Sequence, residues 1–270
     1  MTRIAIHGAG GRMGRALVSI IAADENAQLS GAVDHEKSAA LGQDAGVLAG
    51  VPQPLSVSIT SNLAEALADT DVVIDFSLPD GTLAVLETCL RSKTPVVIGT
   101  TGFGDAVKAA MQRLAEVAPV VFAPNYSVGV NVFWALAERA ATLFADDVDL
   151  EIVEMHHHHK VDAPSGTATR LLDVVAKARG LDPKTAVRHG RAGQVGARTK
   201  DEIGMHALRG GDVVGDHTLI LAGPSERIEL THRAHSREIF ARGAVRAAHW
   251  VVGKPVGLYG MADVLGLNQA

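Results

Sequence analysis

In the first 128 residues, short apolar runs alternate with helical patterns, and small polar loops join them into successive strand–loop–helix units. The first unit places a strand at 3–7, a glycine-rich turn after it and a helix at 15–23. Further apolar runs follow at 29–33, 71–76, 95–98 and 120–122. These runs are continuous, as in parallel strands that are covered on both faces. The sequence therefore predicts an α/β protein whose N-terminal domain has a Rossmann-like parallel sheet.

The loop after the first strand has the glycine spacing G-x-x-G-x-x-G, through Gly8, Gly11 and Gly14. A glycine turn between a strand and a helix is the setting of a dinucleotide fingerprint, although a simple tight turn gives the same pattern. Asp34 ends the next predicted strand, where a carboxylate can bind the hydroxyls of an adenosine ribose and would repel a 2′-phosphate. Arg12 and His35 lie close enough in sequence to offset that repulsion.

Small polar loops also follow two later strands of the predicted sheet. They contain Thr100, Thr101 and Asn125. Open α/β sheets bind ligands at the carboxyl ends of their strands, so these residues are candidates for facing a nucleotide. Ordinary turn chemistry is the alternative.

The second half of the chain has a different pattern. Long strand-like runs at 203–209, 212–221 and 226–234 are separated by glycine-containing turns with few helices between them. This arrangement predicts a second, α+β domain with an open mixed sheet. Such a sheet exposes a face or an edge that another subunit can cover.

A histidine-rich segment, residues 154–167, joins a predicted strand to a predicted helix. Its sequence is Glu-Met-His-His-His-His-Lys-Val-Asp-Ala-Pro-Ser-Gly-Thr. Ser165 or Asp162 can cap the helix, whose start favours anions, and histidines with a lysine beside it suit carboxylate binding and proton transfer. A purification tag, a zinc site and a solvated loop are the alternatives. The internal position disfavours a tag, and consecutive histidines on an extended chain point to opposite faces, which disfavours zinc.

Composition narrows the function classes. The chain has 270 residues, of which 47% are hydrophobic, and a net charge of -5, which together indicate a globular protein and disfavour a nucleic-acid surface. Aromatic residues make up only 4%, so stacking of single-stranded nucleic acid is not expected. One cysteine cannot form an internal disulfide, which indicates an intracellular protein. No apolar run is long enough to span a membrane.

Taken with the segments at 99–102, 125–131, 228–232 and 240–245, these motifs give the chain a family resemblance. Over essentially its whole length the sequence resembles 4-hydroxy-tetrahydrodipicolinate reductase, also called dihydrodipicolinate reductase. The most specific segment is His156-His-x-x-Lys-x-Asp-Ala-Pro-Ser-Gly-Thr167. The resemblance implies NADH- or NADPH-dependent reduction of 4-hydroxy-tetrahydrodipicolinate, via dihydrodipicolinate, to tetrahydrodipicolinate on the diaminopimelate route to lysine. It also implies a cytoplasmic homotetramer.

The resemblance further implies roles for single residues. His156 would be the proton donor and acceptor, Lys160 a second proton donor and His157 a substrate contact, while Gly166 and Thr167 would bind a substrate carboxylate. The cofactor-binding positions would be Gly8, Ala9, Gly10, Gly11, Arg12, Met13, Asp34, His35, Gly99, Thr100, Thr101, Ala123, Pro124, Asn125 and Tyr126. It implies no metal and assigns no role to His158 or His159.

The resemblance also divides the chain. Residues 1–128 and 236–270 would form the dinucleotide-binding domain, and residues 129–235 the domain for substrate binding and oligomerisation. The chain departs from many relatives where Asp34-His35 replaces Glu-Arg, because that arginine holds the 2′-phosphate of NADPH. We therefore expect both nucleotides to be used.

Two other functions are alternatives to this one. Another reductase on the same fold, such as a semialdehyde or homoserine dehydrogenase, is the first. A semialdehyde dehydrogenase needs a nucleophilic cysteine, and Cys89 falls inside a predicted helix. A nucleotide-sensing regulatory protein is the second, and it would need no proton donors beside a second pocket.

Overall fold

The computed structural model describes residues 1–268, which fall into two compact units. Unit 1 comprises Met1–Val128 together with the residues from Glu238 onward, and unit 2 comprises Gly129–Arg237. Within the described residues, none of the helices has both the length and the apolar character needed to cross a bilayer.

Strands and helices alternate through the first part of unit 1. They are β1 (Thr2–His7), α1 (Arg12–Ala22), β2 (Ala27–Val33), α2 (Ala45–Leu48), β3 (Ile59–Thr60), α3 (Leu63–Ala66), β4 (Val72–Asp75), α4 (Pro79–Ser92), β5 (Val96–Ile98), α5 (Asp105–Ala115) and β6 (Pro119–Phe122). Helix α1 begins three residues earlier than predicted, since the glycine turn occupies only residues 8–11.

Unit 2 is built on a second sheet. After α6 (Val128–Phe144) and a short 3-10 turn (Ala145–Asp147), the chain forms β7 (Asp149–His156), α7 (Gly166–Ala178), α8 (Pro183–Ala186), β8 (Val187–His189), β9 (Ile203–Arg209), β10 (Gly215–Ala222) and β11 (Arg227–Ala234). The strand order is β11-β10-β7-β9-β8. Pairing is antiparallel from β11 to β7 and parallel from β7 to β8. The prediction of a mixed sheet is confirmed.

The chain then returns to unit 1 with α9 (Glu238–Val251), β12 (Gly257–Tyr259) and α10 (Met261–Leu265). The first sheet has seven strands in the order β12-β6-β5-β4-β1-β2-β3. All of its neighbouring strands are parallel, which confirms the Rossmann-like prediction. The sequence did not predict β3, β8 and β12, because strands of two or three residues are too short to show a periodicity.

Alternate side chains of the central strands enter the cores on the two faces of this sheet. Ile4 and Ile74 pack in the core that contains residues of α1 and α9, whereas Ala5 and Val73 pack in the core that contains residues of α4 and α5. His7 and Asp75 follow Ala5 and Val73 by two residues, so their side chains lie on the same face of the sheet as those two. They end β1 and β4 as neighbours across the pair.

In unit 2, one face of the sheet packs against residues of α6 and α7. Its apolar residues include Ile152 of β7 and Leu219 of β10. Glu154, His156 and His217 are buried on this same face, because strand residues two apart share a face. The alternation that buries Ile152 in the core therefore also buries His156 on the same face of β7.

Candidate functional site

A cleft of about 510 Å³ opens in unit 1 at the carboxyl ends of its strands. The sheet order changes direction between β1 and β4, and open α/β sheets bind ligands at such a switch point. Five residues that were predicted to bind the cofactor line this cleft: Gly8, Gly10, Gly11, Asp34 and His35.

The glycine turn has no room for side chains. Gly8 has a φ of +85°, which favours glycine. A Cβ atom on Gly14 would lie 2.2 Å from the carbonyl oxygen of Gly8, and one on Gly10 would lie 2.2 Å from Oδ2 of Asp34. The backbone of this turn can therefore be approached closely by a ligand, as the first helical turn of a dinucleotide site requires.

The other residues around the turn have distinct environments. Ala9 is buried and its N–H donates to the carbonyl of Val33. Arg12 is exposed at the start of α1, and Met13 packs partly against the core. The charge of Arg12 therefore lies at the helix end that also attracts anions.

Asp34 is held by three hydrogen bonds. Its Oδ2 accepts from the N–H of Gly10 at 3.0 Å and from the hydroxyl of Ser38 at 3.0 Å, and its Oδ1 accepts from the N–H of His35 at 2.8 Å. His35 is exposed. The carboxylate is thus fixed beside the glycine turn, with the imidazole next to it.

The later loops contribute fewer exposed side chains than predicted. Thr100 is buried, and its hydroxyl donates to Asp75 at 2.9 Å. Gly99 leaves room for the ring of Phe76, since a Cβ atom there would lie 2.2 Å from that ring. Thr101 is exposed. Thr100 is accordingly a structural residue as well as a candidate ligand.

In the loop after β6, Ala123 is buried, Pro124 is exposed and Asn125 is half-buried. Tyr126 is only 2% exposed, and its hydroxyl donates to the carbonyl of Ile98 at 2.8 Å. Burial raises the pKa of this phenol well above its usual value. The Tyr126 ring therefore belongs to the core, so a nucleotide could reach this position only through its backbone.

The second site lies in unit 2, at the end of β7. Nδ1 of His156 lies 2.6 Å from Oε2 of Glu154, whose side chain is fully buried. Arg209 binds both oxygens of that carboxylate, at 2.9 and 3.1 Å. Burial alone would raise the pKa of Glu154, but the hydrogen bonds from Arg209 and His156 outweigh it and the pKa lies below its usual value. Glu154 is therefore a carboxylate that accepts from Nδ1, which leaves Nε2 of His156 as the nitrogen for proton exchange.

The same carboxylate holds the start of α7. Oε1 of Glu154 accepts from the N–H of Ser165 at 3.1 Å. Ser165 is the N-cap, since its hydroxyl accepts from the N–H of Ala168 at 3.2 Å. Gly166 and Thr167 are the first two residues of the helix, where backbone N–H groups have no acceptor within the helix. His156 and the start of α7, the candidates for proton transfer and for anion binding, therefore both bond to the buried carboxylate of Glu154.

His217 completes this cluster. Its Nε2 lies 3.0 Å from the hydroxyl of Ser165, and its ring contacts that of His156 edge-on, with 5.2 Å between the centroids. Burial, followed by the charge of His156, lowers the pKa of His217 to about 4. His217 is therefore neutral at pH 7, and its Nε2 shares a hydrogen bond with the hydroxyl of Ser165.

His157 and Lys160 are also in unit 2, with other partners. Nε2 of His157 lies 3.4 Å from a guanidinium nitrogen of Arg237. Burial, followed by the charge of Arg237, lowers the pKa of His157. The ammonium of Lys160 pairs with Asp162 at 2.8 Å. Both predicted residues therefore have charged neighbours within reach.

His158 and His159 are exposed, and Nδ1 of His158 lies 2.8 Å from the carbonyl of Gly211. Among residues 1–268, no group of three or more histidine, cysteine and acidic residues is arranged to hold a metal ion.

Several polar residues around both sites had no role predicted from the sequence. In unit 1 these are His7, Ser38, Ser77 and Asp80, and in unit 2 they are Glu154, Arg209, His217 and Arg237. The spacing of Glu154 and His156 on a predicted strand was the one available sign, since it places them on one face. Arg209 and His217 come from other strands, and only the sheet register brings them here.

Models of the two halves of one protein family match nearly the whole chain. The model described as dihydrodipicolinate reductase, N-terminus, matches residues 2–126, and that described as dihydrodipicolinate reductase, C-terminus, matches residues 129–265. The chain belongs to the dihydrodipicolinate reductase family.

Individual relatives support the same family assignment. The chain is 53% identical over 269 residues to the 4-hydroxy-tetrahydrodipicolinate reductase of Syntrophotalea carbinolica, covering 99% of this chain and 100% of that one. It is 52% identical over 266 residues to the enzyme of the same name from Alkalilimnicola ehrlichii, covering 98% and 99%. The solved structure of dipicolinate-bound dihydrodipicolinate reductase from Paenisporosarcina sp. TG-14 is similar with a TM-score of 0.77 and 27% identity, covering 97% and 98%.

Proposed function

We propose that this protein reduces 4-hydroxy-tetrahydrodipicolinate, via dihydrodipicolinate, to tetrahydrodipicolinate with NADH or NADPH, on the diaminopimelate route to lysine. The observation that carries the proposal is the buried Glu154–His156 pair beside the start of α7. It combines a proton-exchanging imidazole with an anion-binding helix end, which a reducible dicarboxylate requires.

The cleft of unit 1 fits a dinucleotide. Gly8, Gly10 and Gly11 leave its floor without side chains, and Asp34 stands where a ribose hydroxyl can donate to it. A bound nicotinamide dinucleotide would supply the hydride, which is proposed to go to ring C4. The chain's own residues then have to bind and orient the substrate and move the proton.

We assign substrate binding to the segment at the start of α7. Gly166 and Thr167 would bind one carboxylate through the helix end and the threonine hydroxyl. His157, close to Arg237, would contact the substrate beside it. Fixing the ring in this way removes much of the entropic cost of reaching the transition state.

We assign the proton step to His156. Because Glu154 accepts from Nδ1, Nε2 is the nitrogen that would give a proton to ring C3. Lys160 would be a second proton donor. Its ammonium must then exchange Asp162, its partner at 2.8 Å, for the substrate.

The thiol chemistry of a semialdehyde dehydrogenase is not supported. Cys89 is fully buried in α4. Burial raises the pKa of its thiol to about 12, so the thiolate required for nucleophilic attack is absent at pH 7.

We also propose that the protein acts in the cytoplasm as a homotetramer. Residues on the second face of the unit 2 sheet, such as Val153 and Ile220, are only half-buried in the single chain. A partially exposed sheet face of this kind is suited to association.

Turnover with the proposed substrate tests the function. Freshly prepared 4-hydroxy-tetrahydrodipicolinate is mixed with the enzyme and NADH or NADPH, and nicotinamide absorbance is followed. We expect turnover in the ordinary enzyme range, roughly 1–10³ s⁻¹, and none when an amino-acid semialdehyde replaces the substrate. Absence of nucleotide oxidation above a heat-inactivated control would refute the proposal.

A further inference from the structure

A buried carboxylate lies beneath the cleft of unit 1. Asp75 is fully buried. Its Oδ1 lies 2.7 Å from Nδ1 of His7 and accepts from the hydroxyl of Ser77 at 2.6 Å. Its Oδ2 accepts from the hydroxyls of Thr82 and Thr100 at 2.6 and 2.9 Å. Both oxygens therefore have two partners each.

This arrangement fixes the orientation of His7. A carboxylate has about four acceptor positions, and the three hydroxyls with Nδ1 fill them. Since three hydroxyls donate to Asp75, Nδ1 of His7 is placed to donate at the remaining acceptor position. Since Nδ1 faces the buried carboxylate while His7 lines the cleft, Nε2 is the polar atom left for a ligand.

His7 also lies where a dinucleotide would bind. It ends β1 and is paired with Asp75 at the end of β4, the two strands between which the sheet order changes direction. The glycine turn begins at the next residue, Gly8. A ring at this point lies next to the place where Rossmann folds hold the pyrophosphate.

The ionisation of His7 would change the balance of charge around the cleft. Asp34 and Asp80 line the cleft from the end of β2 and the start of α4, with Asp75 beneath it. Among the lining residues, only His7 and His35 can carry a positive charge, and Arg12 lies outside this lining at the start of α1. A pyrophosphate with two negative charges therefore meets carboxylates and two titratable imidazoles.

We propose that His7, oriented by Asp75, contacts the bound dinucleotide through Nε2 and takes up a proton when the nucleotide binds. This inference rests on the proposed function, since it assumes a dinucleotide in the cleft. Its consequence is that nucleotide affinity rises as pH falls, for NADH as well as for NADPH. This shared pH dependence distinguishes the role of His7 from that of His35, whose charge would act on the 2′-phosphate of NADPH.

The test uses NADH, which has no 2′-phosphate. Its dissociation constant is measured by nicotinamide fluorescence from pH 6 to pH 8, and proton uptake by calorimetry in two buffers of different ionisation enthalpy. The informative variant is His7→Asn, because asparagine can still donate to Asp75 but cannot be protonated. The matched control is His249→Asn, which removes a half-buried histidine of α9 that is bonded to Asp24 and Thr2.

For the wild type and His249→Asn we expect binding to tighten by roughly three- to tenfold from pH 8 to pH 6, with proton uptake, as one linked imidazole allows. For His7→Asn we expect weaker binding at pH 6, with little pH dependence and little uptake. Circular dichroism that matches the wild type would show that the variant is folded.

Three results would overturn the inference. Binding of NADH that is independent of pH in the wild type is the first, and an unchanged pH dependence in His7→Asn is the second. Loss of the dependence in His35→Asn instead would assign the proton to His35. Wild-type protein that binds neither nucleotide would contradict the proposed function as well, so the two failures can be told apart.

Discussion

Glu154 is the residue on which the arrangement of the unit 2 site depends. It is fully buried and binds the imidazole of His156, the guanidinium of Arg209 and the N–H of Ser165. A buried carboxylate without such partners would be costly. The same partners that offset this cost also set the tautomer of the histidine and the position of the helix start.

Residue 35 should set the preference between the nucleotides. Asp34 is held beside the glycine turn, where it suits the ribose hydroxyls of NADH and opposes a 2′-phosphate. A histidine is mostly neutral at pH 7, whereas arginine stays charged and binds phosphate through two N–H groups. We predict that the wild type uses both nucleotides, with NADH equal or better. His35→Arg should shift the preference towards NADPH by roughly tenfold, about 1.4 kcal/mol.

The measurement is kcat/KM for both nucleotides across pH 6 to 8 in the wild type and in His35→Arg. Lower pH should help NADPH more than NADH in the wild type, as the imidazole gains a charge. A strong NADPH preference that does not depend on pH would point instead to Arg12.

His217 should make the stability of the protein depend on pH. Its pKa is about 4 in the folded protein because of burial and about 6.5 in the unfolded chain. The unfolded state therefore binds the extra proton between these values, so the contribution of His217 is complete above about pH 6.5 and is lost as the pH falls towards 4. The loss is on the order of 3 kcal/mol.

Urea unfolding of the wild type and His217→Gln at several pH values measures this. Glutamine can still bond to Ser165 but has no proton to gain. The free energies of unfolding of the two proteins should converge as the pH falls from 6.5 to 4.5. Parallel curves would show that His217 does not titrate in this way.

Strand β7 and helix α7 show how far single elements could be predicted from the sequence. The alternation of apolar residues predicted the strand, and Ser165 was one of two predicted caps for the helix, which it does cap. The partners of Glu154 were not predictable. Arg209 belongs to β9, and its position relative to Glu154 depends on the register between β7 and β9. Periodicity fixes the face of a residue, whereas its partners depend on the assembled sheet.

The start of α7 gives a prediction at the same scale. Thr167→Val should weaken binding of pyridine-2,6-dicarboxylate, a planar analogue of the substrate, by about 1–3 kcal/mol through a lost hydrogen bond to a charged group. Thr169→Val is the matched control, since Thr169 is exposed in the same helix and should bind the dicarboxylate as the wild type does. Equal affinities of both variants by calorimetry would place the carboxylate elsewhere.

At the scale of the molecule, the sequence predicted both sheets, while the tight loops and short strands needed the structure. The glycine turn and Asp34 were predicted as cofactor positions and line one cleft. Tyr126, inferred from the resemblance, has its ring in the core. A motif identifies which backbone lies near a ligand, but burial decides whether a side chain can reach it.

Assembly is also a prediction at this scale. We expect light scattering to give four times the mass of one chain, because the half-exposed face of the unit 2 sheet is suited to association. Ile220→Lys, which places a charge on that face, should lower the mass. Val47→Lys should not, since Val47 is 58% exposed in unit 1. A stable wild-type monomer at micromolar concentration would exclude the tetramer.

The central claim is that His156, held by Glu154, gives the proton during reduction of the dicarboxylate. Its most direct test is kcat of His156→Gln with NADH and freshly prepared 4-hydroxy-tetrahydrodipicolinate, beside His158→Gln as control. We predict that kcat falls by roughly 10²–10⁴-fold in His156→Gln, with NADH affinity unchanged because the residue lies in unit 2. His158→Gln should stay close to the wild type, since that imidazole is exposed and bonds to a loop carbonyl. Turnover of His156→Gln within a few-fold of the wild type would contradict the account.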